Sequence, residues 1–181
     1  MRILGIDPGS AAMGWGVVDA VQGEAHHVAH GTLRPPRTAS LSSKLSFLHA
    51  GIAEVILLHG PDTAVVERVF LANNARSALV LGQARGAAMA ALGAGGLVVE
   101  ELAAREVKQA VVGTGAAEKA QVQAMVTRLL SLDPAPPSDA ADALAAAICA
   151  AHQSRNPGLR VARGRRSRGR RRPDWTAGRG S

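Results

Sequence analysis

Arg2-Ile3-Leu4-Gly5-Ile6-Asp7-Pro8-Gly9-Ser10 is the stretch on which the reading of this chain turns. Its apolar run predicts a short strand over Arg2 to Ile6. Pro at the second position and Gly at the third of Asp7–Ser10 suit a type II turn, which sends the chain back on itself. Gly14 to Val21 and Ala25 to Leu33 predict two further strands, so the chain opens as an antiparallel meander that Pro35-Pro36 stops.

Beyond the prolines the hydrophobic period changes. Leu41, Leu45, Leu48, Ile52, Val55 and His59 recur at three- and four-residue steps, the stripe of an amphipathic helix, and Gly60-Pro61 ends it. Thr63 to Val69 predicts a strand, about Asn74 to Leu92 a helix, and Leu97 to Glu100 another strand. Ala103 to Val112 and Ala116 to Leu130 predict helices, and Pro134-Ala135-Pro136-Pro137 precedes a last Ala-rich helix, Asp139 to His152. The order βββαβαβααα points to an α/β fold, a mixed five-stranded sheet with three antiparallel strands first and helices on its faces.

Four acids stand at the edges of these apolar elements. A carboxylate at the end of an apolar strand is costly to desolvate without a cation or donors, and both Asp7 and Glu67 occupy such ends. Each has an ordinary use: Asp7 can accept N–H bonds from its own turn, and Glu67 can pair with Arg68. The second is poor, because adjacent strand residues point to opposite faces. Asp139 and Asp142 lie three apart at the start of the last helix and share a face. Helix-dipole and capping roles suit Asp139 better than Asp142, which stands among Ala140, Ala141, Ala143 and Leu144. One shared role for four such acids is hard-cation binding: with no cysteine nearby, oxygen ligands favour Mg²⁺ or Mn²⁺, and a close pair of such ions supports phosphodiester hydrolysis.

Charge divides the chain. Residues 1–152 carry a net −2, whereas residues 153–181 carry +9 through ten arginines. We expect one folded domain over residues 1–153 and a disordered, phosphate-seeking Arg/Gly-rich tail over 154–181. A single cysteine, Cys149, excludes an internal disulfide; with no run of about 18 apolar residues and no signal-peptide pattern at the start, the expected location is cytoplasmic.

The residues after Glu67 are the most specific: Val69-Phe70-Leu71-Ala72-Asn73-Asn74-Ala75-Arg76-Ser77-Ala78-Leu79-Val80-Leu81-Gly82-Gln83-Ala84-Arg85-Gly86. They combine with Gly5-Ile6-Asp7-Pro8-Gly9-Ser10, Val107-Lys108-Gln109-Ala110-Val111-Val112-Gly113, Ala117-Glu118-Lys119-Ala120-Gln121-Val122 and Ser138-Asp139-Ala140-Ala141-Asp142-Ala143-Leu144-Ala145. Those five ordered motifs, over about residues 1 to 152, resemble the RuvC family of bacterial Holliday junction resolvases.

The resemblance implies an RNase H-like fold, a homodimer, and Mg²⁺-dependent paired nicking of four-way junction DNA. Two ions, with Mn²⁺ able to substitute, would be held by Asp7, Glu67, Asp139 and Asp142. Lys108 and Lys119 match positions that hold the DNA backbone, and the branch-migration proteins RuvA and RuvB are implied partners. Phe70 is placed as a wedge stacking on unpaired bases; Leu71-Ala72-Asn73-Asn74 stands where many relatives carry a basic residue, leaving a local phosphate contact to Arg76. Gly82 and Gly86, with Leu79 and Met89 on the same face, form a small-residue strip that we expect at the dimer seam; its ordinary use would be packing on the chain's own sheet.

Two other functions compete. Strand-Asp-x-Gly-Ser-strand also resembles the phosphate hairpin of actin-like and sugar-kinase ATPases, but those need two such lobes and this chain has one. A non-catalytic nucleic-acid-binding module driven by the tail would be indifferent to Asp7→Asn.

Overall fold

The computed structural model describes residues 1–68 and 75–154. Phe70 and the Arg-rich tail therefore lie outside the described residues. Ten elements follow in the expected order: β1 (Arg2–Asp7), β2 (Met13–Val21), β3 (Glu24–Leu33), α1 (Leu41–His59), β4 (Thr63–Arg68), α2 (Ala75–Ala94), β5 (Val98–Ala103), α3 (Ala104–Val112), α4 (Lys119–Leu129) and α5 (Ser138–Ser154). The five strands form one sheet in the order β3-β2-β1-β4-β5. β1–β2 and β2–β3 are antiparallel, while β1–β4 and β4–β5 are parallel. The carboxyl ends of β3, β1, β4 and β5 therefore share one edge of the sheet. In α/β sheets that edge is where ligands are bound.

Two apolar layers hold the sheet. On one face Leu4, Ile6, Val17, Ala64 and Val66 pack with Leu48, Ile52 and Val55 of α1 and Ala84, Ala88 and Leu92 of α2. On the other, Ile3, Val18 and Val65 pack with α3, α4 and α5. Helix α1 is begun by Ser40, whose Oγ accepts the Ser43 N–H at 3.2 Å, and ended by left-handed Gly60, whose N–H donates to the Ile56 carbonyl. By length and composition alone α1 could cross a bilayer, yet it carries Lys44, His49 and Glu54 and buries Leu48, Ile52 and Val55 against the sheet.

Three local expectations need correction. Gly9 lacks the positive φ that a type II turn requires; a Cβ there would instead strike the Ala12 carbonyl, so glycine serves close approach within the β1–β2 turn. β5 runs on past Glu100 to Ala103 because its main chain continues to pair with β4, matching Glu67 with Leu102 and Arg68 with Ala103. An edge strand tolerates Glu100 and Glu101 there because one side is solvated. Finally, α4 begins at Lys119 rather than Ala116, where the Gln121 side chain accepts the Glu118 N–H at 2.8 Å and caps the first turn.

Candidate active site

Two parallel strands bring the first two acids together. Ile6 of β1 is in register with Val66 of β4, and Asp7 and Glu67 each come one residue later, at the shared carboxyl edge. The other two acids arrive on α5, and glycines decide how closely. Gly14 is the cross-strand partner of Asp7, and a Cβ on it would run into the Asp139 carbonyl. A Cβ on Gly5 would meet the Ala143 carbonyl, and one on Gly16 the Leu144 side chain. The first turns of α5 thus rest directly on the β1–β2 pair, main chain against main chain. Asp139 is seated beside the rung that carries Asp7, and Asp142 follows one turn on the same face.

Electrostatics records the crowding. The Asp7 carboxyl is pushed up to about 7, first by burial and then by Asp142, Glu67 and Asp139, with Lys119 opposing. Glu67 is likewise raised, by burial and by Asp142, with Lys119 and Lys108 opposing. Two basic side chains answer part of this charge. Lys119 Nζ donates to Asp142 Oδ2 at 2.9 Å, which raises the ammonium's own pKa, and Arg34 Nη2 donates to Asp139 Oδ2 at 3.0 Å. Lys119 and Arg34 are largely solvent-exposed, so these pairs are weak and easily opened.

Four carboxylates at one sheet edge, three of them acting on Asp7, with only peripheral cations make a donor set suited to a hard divalent ion. Among the described residues no three His, Cys, Asp or Glu side chains already surround a common point. Asp139 is turned to Arg34 and Asp142 to Lys119. Gathering ligands here requires those two side chains to leave their basic partners.

The remaining sequence candidates fall in different places. Lys119 touches Asp142 and acts at longer range on Asp7 and Glu67, Lys108 acts on Glu67 from α3, and Arg76 is exposed in the first turn of α2. Gly82, Gly86 and Leu79 lie on the exposed side of α2, and a Cβ at either glycine would meet open space, so packing on the chain's own sheet does not explain them. Met89 departs from that strip, since it packs against the core shared with α1. Sequence reading missed Arg34, whose partner lies 105 residues downstream, and it missed Gly5, Gly14 and Gly16 as contact surfaces.

Comparison with known proteins matches this architecture. Residues 3–150 fit the family model "Crossover junction endodeoxyribonuclease RuvC". A protein of that name from Burkholderia multivorans is 53% identical over 152 residues, 84% of each chain. One from Maricaulis maris is 53% identical over 159 residues, 88% of this chain and 95% of that one. Among solved structures, Thermus thermophilus RuvC in complex with a Holliday junction substrate superposes with a TM-score of 0.80 at 33% identity, covering 86% of this chain and 95% of that one. The yeast mitochondrial Holliday junction resolvase, at 12% identity and a TM-score of 0.62, shares the fold.

Proposed function

The chain belongs to the RuvC family of crossover junction endodeoxyribonucleases, and on that premise we propose how its own residues cut a four-way DNA junction. The fold is RNase H-like and the enzyme is a nuclease. The observation that carries the mechanism is the seating of α5 on Gly5 and Gly14, which brings Asp139 and Asp142 beside Asp7 and Glu67.

Asp7, Glu67, Asp139 and Asp142 would hold Mg²⁺, or Mn²⁺ in its place, two ions per site, which when bound activate a water for in-line attack and stabilise the leaving oxygen. Asp7 and Glu67, half-buried at the carboxyl edge of the sheet, would anchor the ions against which the scissile phosphate is positioned. Asp139 and Asp142, paired here with Arg34 and Lys119, would leave those partners to complete the ligand set. Released from Asp142, Lys119 is free to bind a phosphate oxygen, with Lys108 supporting it from α3. Phe70, outside the described residues, is assigned to stacking on unpaired bases at the junction centre. No side chain is used as a nucleophile.

Paired nicking requires two such sites. A homodimer related by a twofold axis places one site on each of two opposing strands. We assign the exposed strip of Leu79, Gly82 and Gly86 to that interface; the branch-migration proteins RuvA and RuvB are the partners proposed to deliver the junction. The test is incubation of a synthetic four-way junction with the protein and Mg²⁺, beside a linear duplex and an Asp139→Asn control. Symmetric nicks in the junction alone are expected. Equal cutting of the duplex, or undiminished cutting by Asp139→Asn, would overturn the reading.

A further inference from the structure

We infer that a basic cleft between the β1–β2 turn and the β3–α1 linker grips a DNA backbone phosphate next to the scissile one; the inference rests on the nuclease reading above. The cleft has a volume of about 250 Å³ and is lined by Ser10, Ala11, Arg34, Pro35, Arg37 and Lys44. Half of its lining residues are cations and none is acidic, in a domain whose residues 1–152 are net negative. A charge distribution of that kind suits an anion carried on the substrate.

The cleft is joined to the catalytic edge. Arg34 lines it and also donates to Asp139 Oδ2 at 3.0 Å, so it opens one side chain away from the acids. Arg34 follows directly on β3, whose carboxyl end lies on the same sheet edge as Asp7 and Glu67. Lys108 reaches the acids from α3, which packs on β5 at the opposite end of the strand order, and Lys119 from α4, which packs on α3 and α5. A strand laid along this edge meets cation, acid cluster, then cation again, and successive phosphates are held on both sides of the one to be cut.

The cleft is also built rather than incidental. Lys44, half-buried in the first turn of α1, donates from Nζ to the Arg37 carbonyl at 2.8 Å, which ties the ammonium to the linker. Pro35, buried, and Pro36 restrict the linker backbone, so fewer conformations are lost on binding. Among the described residues, neither Arg37 nor Lys44 has an acid within ion-pair distance. Their charge is available, and the Ser10 hydroxyl adds a neutral donor at the rim.

The test measures junction affinity of the full chain over a salt series in EDTA, so that no cutting intervenes. For Arg37→Gln/Lys44→Gln we expect affinity to fall by about tenfold at low salt and the plot of log K against log salt to become shallower by about 1. The charge-preserving exchange Arg37→Lys/Lys44→Arg should keep the wild-type slope, which separates charge from shape. Arg128→Gln, at the C-terminal end of α4, should lie close to wild type. A double variant with wild-type affinity and slope, or an Arg128→Gln variant that loses as much per charge, would overturn the assignment. Absence of Mg²⁺-dependent nicking in the wild type would instead sink the nuclease reading, and a lowered slope would still establish the phosphate site.

Discussion

Asp7 carries a conflict that a cation would relieve: burial and three other acids push its carboxyl up to about 7. The sign of the resulting pH dependence follows from linkage. A carboxyl whose folded pKa is raised above the ordinary value opposes folding once it ionises, so stability is present at low pH and lost as pH rises toward 7. Asp7→Asn should therefore melt above the wild type at about pH 8 in chelator, by the equivalent of a few kcal/mol at about 1.4 kcal/mol per pH unit, with the gap closing near pH 4.5. Equal melting temperatures at the higher pH would show that Asp7 is not under electrostatic strain. Adding Mg²⁺ should stabilise the wild type and not the variant. In single-turnover nicking Asp139→Asn should lose about three decades, or about 4 kcal/mol of barrier, and a chelator should abolish the wild-type signal. Cys149, whose thiol burial and Glu106 push up to about 11, should resist alkylation at about pH 8 until the domain unfolds.

At the scale of elements, α5 and the β1–β2 pair form the joint that matters. Gly14→Ala forces a methyl into the Asp139 carbonyl, and should cost roughly 3 kcal/mol or more in thermal unfolding while suppressing nicking. Gly82→Ala, with open space around it in a helix interior, should instead stabilise the fold by up to about 1 kcal/mol. A Gly14→Ala variant as stable and active as wild type would refute the seating of α5. The contrast also shows what the sequence made legible. The acids stood out because each ended or opened an apolar element, and period alone separated strands from helices. Gly14 and Gly82 look alike in sequence, since nothing local tells a glycine that faces another backbone from one that faces solvent. The Arg34–Asp139 pair and the continuation of β5 to Ala103 were hidden for a related reason: both depend on partners brought near by folding rather than by chain proximity.

At the scale of the whole molecule, two proposed interactions can be tested separately. Gly86→Leu puts a bulky side chain where the monomer has room, so its fold should survive while sedimentation shifts from dimer to monomer; an unchanged dimer would remove the α2 strip from the interface. Removal of residues 158 to 181, outside the described structure and rich in arginine, should weaken junction affinity and flatten its salt dependence, and equal slopes would leave the tail without a DNA role. The glycine floor beneath α5 has one more implication, for how this catalyst tolerates change. Although α5 is also packed through its side chains, at Gly5 and Gly14 its backbone sits directly on that of the sheet, so a side chain added at either would lift the turns that carry Asp139 and Asp142. Two hydrogen atoms, where Gly5 and Gly14 lack side chains, act as the gauge block that sets how closely α5 approaches the sheet.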